Sequence, residues 1–282
     1  MDALVTTEWL AGELGADDLR VVDATYFGSV PGGPGGDARA QYEAAHIPGA
    51  VFLDLDTLAD TATDLPSMLP PPDQFAARMG SLGVGDGDRI VLYDVSHYHT
   101  ATRAWWMLRT MGARDIAIFD GGLAKWRAEG RPVASGSERP APRNFTARLD
   151  PGRRRTLDQM KANVASGDEQ MLDARSPARF SGDEPDPRPG TAAGHIPGSK
   201  NLPYGRLLNS NGTWKTGDAL RLEFDAAGID LARSLVTTCG SGITAAVLAF
   251  GAHLLGNDAA LYDGSWSEWG GDATTLKATG TA

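Results

Sequence analysis

Short apolar runs bounded by glycine and aspartate alternate along the chain with longer stretches that are apolar on most faces of a helix. The runs Leu19–Asp23, Ile90–Tyr93 and Ile116–Phe119 are predicted to be buried strands. The stretches Arg103–Met111 and Ile243–Leu255 are predicted to be helices. Because strands that alternate with helices form βαβ units, we predict an α/β fold with parallel sheets that carry helices on both faces.

This pattern occurs twice, in segments that keep their order and lie about 145 residues apart. The matching pairs are 22–24 with 172–174, 46–49 with 195–198, 90–94 with 235–239, and 119–122 with 262–265. A spacing of this length is too long for a solenoid repeat, so we predict two copies of one domain. We assign them to residues 1–134 and 156–282, joined by an exposed linker, 135–155, that is rich in arginine and proline.

The only cysteine, Cys239, directly follows a predicted strand of the second copy. It opens the segment Cys-Gly-Ser-Gly-Ile-Thr (239–244), which leads into a predicted helix. The glycines allow successive backbone N–H groups to surround an anion, and the start of the helix adds positive potential at the same place. We therefore predict that Cys239 is a nucleophile whose thiolate this loop stabilises. The alternative is a buried structural cysteine.

Composition narrows the classes of partner and compartment. The net charge of −10 argues against a nucleic-acid-binding surface, and no apolar run approaches the ~20 residues that span a bilayer. The first residues lack the basic and apolar segments of a signal peptide, and a single cysteine cannot form an internal disulfide. We expect a cytoplasmic protein without nucleic-acid or membrane partners, without a cofactor and without a metal site.

The two-copy pattern, both His-Ile-Pro-Gly segments and the cysteine loop resemble the tandem-domain rhodanese sulfurtransferases over about residues 4 to 270. In that family the second copy is catalytic, and the first carries an aspartate at the cysteine position, as Asp94 does here. Thiosulfate sulfurtransferases tend to have basic residues in the loop, whereas the 3-mercaptopyruvate branch has Cys-Gly-Ser-Gly-x-Thr. The uncharged loop of this chain is similar to the latter.

The resemblance implies a double displacement. The Cys239 thiolate attacks the sulfur of 3-mercaptopyruvate, which gives a Cys239 persulfide and pyruvate. An acceptor then removes the outer sulfur; the acceptor is a thiol, such as thioredoxin or a small thiol, or cyanide. The loop residues expected to hold the thiolate, the persulfide and the substrate are Gly240, Gly242, Ile243 and Thr244.

Two arginines in an acidic, proline-containing segment are the expected substrate ligands. Arg179 and Arg188 have the spacing and context of an arginine pair in the mercaptopyruvate branch, which binds the substrate carboxylate and carbonyl. The planar fork of arginine suits this task because it can hold a carboxylate through two bonds. The alternative is that both are solvated surface arginines.

The resemblance also implies a proton relay that would serve the departing pyruvate enolate. Its members would be Ser241 beside the cysteine, with His46 and Asp37 contributed by the first copy. In the competing interpretation, both His-Ile-Pro-Gly segments are turns whose histidines bond to backbone. We hold that interpretation for His195 and leave His46 open. Arg103 is a further candidate that supports the cleft from the first copy.

Other activities remain as alternatives or are excluded. Thiosulfate:cyanide sulfurtransferase activity differs only in the donor, and a non-enzymatic persulfide relay needs no small carboxylate site. A phosphatase of this architecture requires an arginine six positions after the cysteine, where Ala245 stands. His253 lies about four turns along the same helix and is too far from Cys239 for a thiol protease. The segments 32–36 and 181–190 are expected to be mobile loops.

Overall fold

The computed structural model describes residues 1–28 and 35–281, so most of the glycine-rich segment 32–36 lies outside the described residues. Two five-stranded sheets form the framework, and every strand pair is parallel. The first sheet has the order β1-β5-β4-β2-β3 and consists of β1 (Leu4–Val5), β2 (Leu19–Asp23), β3 (Val51–Phe52), β4 (Arg89–Tyr93) and β5 (Ile116–Phe119). The second has the order β6-β10-β9-β7-β8 and consists of β6 (Arg154–Arg155), β7 (Gln170–Asp173), β8 (Lys200–Asn201), β9 (Leu235–Thr238) and β10 (Ala260–Tyr262). The two orders are identical by position, so the sequence repeat is a repeat of the fold.

Helices connect the strands in both copies. Those of the first copy are α1 (Thr7–Glu13), α2 (Ala38–Ala44), α3 (Leu55–Leu58), α4 (Pro72–Ser81), α5 (Ala101–Thr110) and α6 (Gly122–Ala128). Those of the second are α7 (Leu157–Ser166), α8 (Pro177–Ser181), α9 (Gly217–Ala226), α10 (Ala245–Leu254) and α11 (Ser265–Trp269). Short 3-10 turns occupy Pro151–Arg153 and Tyr204–Leu207. None of the helices in the described part of the chain is long and apolar enough to cross a bilayer.

The side chains of the central strands alternate between the two faces of the sheet, and both faces are covered. In β4, Val91 and Tyr93 belong to one apolar cluster with residues of α1 and α6, whereas Ile90 and Leu92 belong to another that includes α4 and α5. A strand with two buried faces has no polar alternation. This explains why the sequence showed continuous apolar runs.

The two domains share one hydrophobic core along α5 and α10. Trp105 of α5 meets Phe250 of α10 edge-on with ring centroids 4.9 Å apart, and the Trp214 ring also meets Phe250, with centroids 4.8 Å apart. The first eight residues of α10 are all buried, in keeping with its apolar composition on every face. This shared core packs α10, and with it the cysteine loop (239–244) that precedes this helix, against the first domain.

The segment between the domains runs over the first domain. Phe145 is buried and meets Phe75 edge-on with ring centroids 5.8 Å apart, so this side chain anchors the segment to the first domain. Arg143 adds an ion pair of 2.7 Å to Asp88. The structure differs from the predicted linker at its end, because residues 154–155 pair with β10 as the edge strand of the second sheet. Two arginines carry no apolar pattern that could reveal such a short strand.

Each domain also accepts one backbone hydrogen bond from a loop of the other. Leu69 donates its N–H to Asp263 Oδ2 at 2.8 Å, and Trp214 donates its N–H to Asp120 Oδ1 at 2.8 Å. Asp120 follows β5 and Asp263 follows β10, so the two contacts occupy equivalent places in the repeat. The two domains therefore contact each other through equivalent positions of the repeat.

Candidate active site

Cys239 lies at the carboxyl end of β9 and is 1% exposed. Its own backbone is tied to the start of α11: its N–H donates to Ser265 Oγ at 3.2 Å, and its carbonyl accepts from the Trp266 N–H at 3.0 Å. The next carbonyl, of Gly240, accepts from both the N–H and the Oγ of Ser267 at 2.9 and 2.6 Å. The loop is thus bonded outward through its carbonyl oxygens.

Because the carbonyl oxygens of the loop bond to α11, its backbone N–H groups are left to bind other groups. In a trans peptide the N–H points opposite to the preceding C=O, so the amides that follow these bonded carbonyls point away from α11. Within the described part of the chain, no acceptor is found for the backbone N–H groups of residues 240–244. A row of unpaired amides beside a buried cysteine, at the start of α10, is suited to hold an anion.

A cavity of about 200 Å³ opens over Cys239. Its walls come from both domains and are formed by Gly28, Tyr98, Arg175, Ser176, Arg179, Arg188, Tyr204, Cys239, Gly240, Ser241, Ile243 and Thr244. The predicted substrate residues Gly240, Ile243 and Thr244 are among them, but Gly242 is not. Gly242 has φ +78°, and it faces Asp263 and Arg103 on the opposite side of the loop.

Both predicted arginines reach the cysteine loop. A Cβ atom on Gly240 would lie 3.2 Å from Arg188 Nη1 and 3.5 Å from Arg179 Nη2, so the guanidinium groups lie directly against this glycine. A Cβ at position 240 would be in tight contact with Arg188, which would have to shift by a few tenths of an ångström, and in ordinary contact with Arg179. The glycine therefore allows both cations to pack directly on the cysteine loop.

A buried carboxylate, to which the sequence had assigned no role, holds the two arginines. Asp186 is 1% exposed, and its Oδ2 lies 2.6 Å from Arg179 Nη2. Its Oδ1 accepts from the Arg188 N–H at 3.0 Å and lies 3.4 Å from Arg188 Nη1. Its position in the sequence, between the two arginines of the acidic segment, could have indicated that it pairs with them.

A third arginine in the wall was also missed. Arg175 pairs with the buried Asp173 at 2.7 Å and lies over the Trp266 ring, 4.6 Å from its centroid. Because Asp173 balances Arg175, and Asp186 balances one of the two other arginines, the cavity wall keeps an excess positive charge. This charge favours an anionic substrate next to Cys239.

Two tyrosines were not anticipated either. Tyr98 of the first domain and Tyr204 of the second both line the cavity, and a Cβ on Gly28 would lie 3.0 Å from the Tyr98 ring. Burial raises the pKa of Tyr204, and the nearby Tyr98 and Cys239 raise it further. The hydroxyl of Tyr204 therefore stays protonated at neutral pH.

The structure does not bring the three predicted relay residues together. Ser241 lies in the cavity wall, but His46 is fully buried with its Nδ1 2.8 Å from the Tyr42 carbonyl oxygen, and Asp37 accepts the Ala40 N–H as the cap of α2. Among the described residues, no contact joins His46 or Asp37 to Ser241.

The histidine of the second copy makes the same contact as His46. Nδ1 of His195 lies 2.8 Å from the Phe180 carbonyl oxygen, and its ring stacks on that of Phe180 at 3.8 Å. The ring of His46 stacks in the same way on Tyr42 at 4.2 Å. Both His-Ile-Pro-Gly histidines therefore bond to backbone, as expected for His195.

The first domain carries an aspartate at the corresponding loop. Asp94 Oδ1 accepts the Ser96 N–H at 2.9 Å and Oδ2 accepts the Ala101 N–H at 2.7 Å. Two amides of this loop turn inward although it has no glycine, and the Asp94 carboxylate of the chain itself accepts from both. Burial, together with the charge of Asp23, raises the pKa of Asp94 to about 7. At the position of Cys239 this loop therefore has a carboxyl group instead of a thiol.

Comparison with known proteins agrees with this geometry. The family model described as Rhodanese-like domain matches residues 6–129 and 156–272. Human 3-mercaptopyruvate sulfurtransferase is 41% identical over 95% of this chain and 91% of its own length. The protein named thiosulfate/3-mercaptopyruvate sulfurtransferase 1, mitochondrial, from Arabidopsis thaliana is 38% identical over 95% of this chain and 76% of its own. The crystal structure of SseA, a 3-mercaptopyruvate sulfotransferase from Escherichia coli, superposes with a TM-score of 0.85 at 34% identity, covering 94% of this chain and 99% of that one. The chain therefore belongs to the rhodanese-like family, as a tandem-domain sulfurtransferase.

Proposed function

We propose that this protein transfers sulfur from 3-mercaptopyruvate to an acceptor through a persulfide on Cys239, with release of pyruvate. The observation that carries the proposal is the pair of guanidinium groups, Arg179 and Arg188, that Asp186 holds against the loop of a buried cysteine. A carboxylate and a neighbouring ketone need such a pair, whereas a persulfide relay between proteins does not.

In the first half-reaction the Cys239 thiolate attacks the sulfur atom of the donor. A sulfur–sulfur bond forms, the carbon–sulfur bond breaks, and its electron pair moves onto the pyruvyl fragment as an enolate. The enolate takes up a proton and leaves as pyruvate, while the persulfide loses its proton and becomes an anion. Arg179 and Arg188 stabilise the carboxylate and the developing enolate oxygen, and preorganised cations need little rearrangement as that charge appears.

The unpaired N–H groups of residues 240–244 are the groups that we propose stabilise the Cys239 persulfide intermediate. We propose that they donate hydrogen bonds first to the thiolate and then to the outer sulfur of the persulfide anion, since no acceptor among the described residues competes for them. The wall hydroxyls of Ser241 and Tyr204 are the groups proposed to supply the proton to the enolate, since both face the cavity. This replaces the relay through His46 and Asp37, which the contacts do not support.

In the second half-reaction an acceptor removes the outer sulfur. Thiols or cyanide act as acceptors in this class of transfer, and we propose a small thiol or thioredoxin for this chain. Because Cys239 is 1% exposed at the base of a cavity of about 200 Å³, the acceptor atom has to enter that cavity. A small thiol fits inside, and a protein would have to project its cysteine.

Steady-state kinetics with 3-mercaptopyruvate and with thiosulfate test the donor. We expect kcat/KM to favour mercaptopyruvate by more than about tenfold, which corresponds to about 1.4 kcal/mol at the transition state. Cys239→Ser gives the blank, and the double variant Arg179→Met/Arg188→Met should lose most activity with mercaptopyruvate. An equal or reversed preference would instead support thiosulfate as the donor.

The relay alternative has its own test. If the double arginine variant still takes up sulfur from mercaptopyruvate as wild type does, the assigned substrate site is wrong. If neither small donor works while Cys239 gains sulfur from a persulfidated protein, the chain is a sulfur-relay module. Mass spectrometry of the Cys239 peptide, which detects the mass of one added sulfur, reads all of these outcomes.

We infer a cytoplasmic location because a catalytic cysteine must stay reduced, and the cytoplasm maintains reduced thiols. The Arabidopsis relative is named mitochondrial. Fractionation of cells that express the protein, probed with an antibody against it, decides between the two compartments. Recovery with an organelle fraction would contradict this inference.

A further inference from the structure

One arginine of the non-catalytic domain reaches the back of the catalytic loop. Arg103, on α5, is 1% exposed and pairs with Asp263 Oδ1 at 2.7 Å across the domain interface. It also donates to the carbonyl oxygens of Gly242, at 3.4 Å, and of Ser67. Its guanidinium lies 4.5 Å from the ring centroid of Trp106, which holds it from the side.

The bond to Gly242 bears on the direction of the loop amides. The carbonyl of Gly242 points to Arg103, so the N–H of the same peptide, which belongs to Ile243, points the opposite way. Ile243 lines the cavity over Cys239, and its N–H has no acceptor within the described residues. Arg103 therefore does for this peptide what α11 does for the carbonyls of Cys239 and Gly240.

The fit behind Gly242 leaves little freedom. Gly242 has φ +78°, and a Cβ there would lie 2.9 Å from the Asp263 carbonyl oxygen and 3.0 Å from Arg103 Nη1. The left-handed turn thus packs directly on the ion pair. Removal of the arginine side chain would open space on the side to which the Gly242 carbonyl is bonded.

A comparison of the two copies indicates that contact between the domains does not by itself require this arginine. Asp120 and Asp263 are equivalent, and each accepts a backbone N–H from the other domain. Of these two aspartates, only Asp263 also has an ion pair with an arginine among the described residues. Arg103 corresponds to Val247 if the first residues of α5 and α10 are aligned, and to Leu248 if the preceding strands are aligned; both are apolar. The ion pair is present only on the side with the catalytic cysteine.

We propose that Arg103 is a positioning residue of the first domain, which sets the direction of the amides around Cys239 through Gly242 and Asp263. The proposal rests on the proposed function only in taking Cys239 as the reactive thiol. It assigns the non-catalytic domain a part in catalysis that is exerted through the loop and not on the substrate.

The test variant is Arg103→Met, which keeps an unbranched side chain over Trp106 and removes the donors. The matched control is Arg109→Met on the same helix. Arg109 also pairs across the interface, at 3.0 Å with Asp258, and lies 5.0 Å from the Trp105 ring centroid, but it does not contact the loop. Both variants therefore lose one interdomain ion pair and one cation–π contact.

The primary readout is the rate at which iodoacetamide alkylates Cys239 at neutral pH, which needs no assumption about the donor. Removal of a single preorganised donor typically costs about 10²–10³ in rate, and a misdirected amide costs less. We expect Arg103→Met to slow alkylation and lower kcat by about tenfold or more, with KM for mercaptopyruvate within about threefold of wild type. Arg109→Met should leave both rates within about twofold.

Urea unfolding of both variants separates positioning from loss of stability. If the two variants lose similar stability and show the same alkylation rate, or if Arg103→Met reacts as wild type, the proposal is overturned. Should Arg103→Met fail to fold, Arg103→Lys replaces it: a lysine keeps the charge but not the planar fork that bonds to Asp263 and Gly242 together, so alkylation should be slower than in wild type and in Arg109→Met, and a rate equal to theirs overturns the proposal. If wild type reacts normally with iodoacetamide but not with mercaptopyruvate, the proposed donor is wrong while the test of Arg103 still stands.

Discussion

Asp186 offers the sharpest test of how the cavity binds its substrate. The substitution Asp186→Asn preserves the size and shape of the side chain but removes its charge and replaces one carboxylate oxygen by an NH₂ group. If the amide oxygen keeps the bonds to Arg188, the NH₂ group faces Arg179 Nη2, where the carboxylate oxygen now lies at 2.6 Å. A donor would then meet a donor, and the Arg179 guanidinium would lose its anchor.

The size of the effect follows from this geometry. The bond to Arg179 is short and charge-assisted, and Asp186 is 1% exposed, so solvent does little to screen it. A hydrogen bond between charged groups contributes about 1.5–3 kcal/mol, and about 1.4 kcal/mol corresponds to a factor of ten. We expect KM for mercaptopyruvate to rise about tenfold, up to roughly a hundredfold if the whole bond energy serves to orient the arginine.

The assay is steady-state sulfur transfer at saturating acceptor, with KM and kcat determined separately. Asp183→Asn is the matched control: it makes the same chemical change in the same segment, where the only side-chain partner of the Asp183 carboxylate among the described residues is Ser181, whose Oγ donates to it at 2.7 Å. The control should leave KM unchanged. A KM for Asp186→Asn that equals the control, or that falls because the arginines are freed, would refute the idea that the carboxylate holds them in their working position.

Three further predictions concern single residues of the two loops. Gly240→Ala should raise KM with little loss of stability, since its Cβ would lie 3.2 Å from Arg188 Nη1; kinetics and urea unfolding measure the two effects. Gly242→Ala should lower the free energy of unfolding by at least about 1–2 kcal/mol in the same titration, because φ +78° disfavours alanine. With its pKa raised to about 7, Asp94 keeps its proton in the folded state where the unfolded chain has lost it. Its contribution to stability therefore falls as the pH rises from about 4 to about 7. Urea unfolding at several pH values should show that the free energy of unfolding of Asp94→Asn increases relative to that of wild type over this range.

The strands and the central helices could be predicted because their signal is local. β2 and β5 begin and end where the apolar runs do, since each run is a complete buried strand. Helix α10 starts two residues after the predicted Ile243, because the left-handed Gly242 delays the turn into the helix. Edge strands of two residues, such as β6, have no such pattern, because their formation depends on pairing with the neighbouring strand, β10.

The site could be predicted only where chemistry is concentrated in one segment. Cys239 and its loop are contiguous, and the arginine pair came from a resemblance. Asp186 acts through the fold of its segment, and Tyr98 enters the cavity from the other domain, so neither shows a local pattern. The repeat itself held evidence about His46: a histidine that recurs as His195, in a copy with its own cysteine loop, points to a shared structural role.

The duplicated fold gives each copy the same loop at the same end of its sheet, and the difference between the copies is what makes one site. In the first copy the Asp94 carboxylate accepts from the amides of its own loop, so these amides are not available to hold a bound anion. Two side chains of the first copy instead contribute to the site of the second. Tyr98 lines the cavity over Cys239, and Arg103 donates to the Gly242 carbonyl on the opposite side of the loop. Because the core shared by α5 and α10 is continuous, any movement of the first domain relative to the second would shift Arg103 against Gly242. The reactivity of Cys239 is in this way a property of the two domains together.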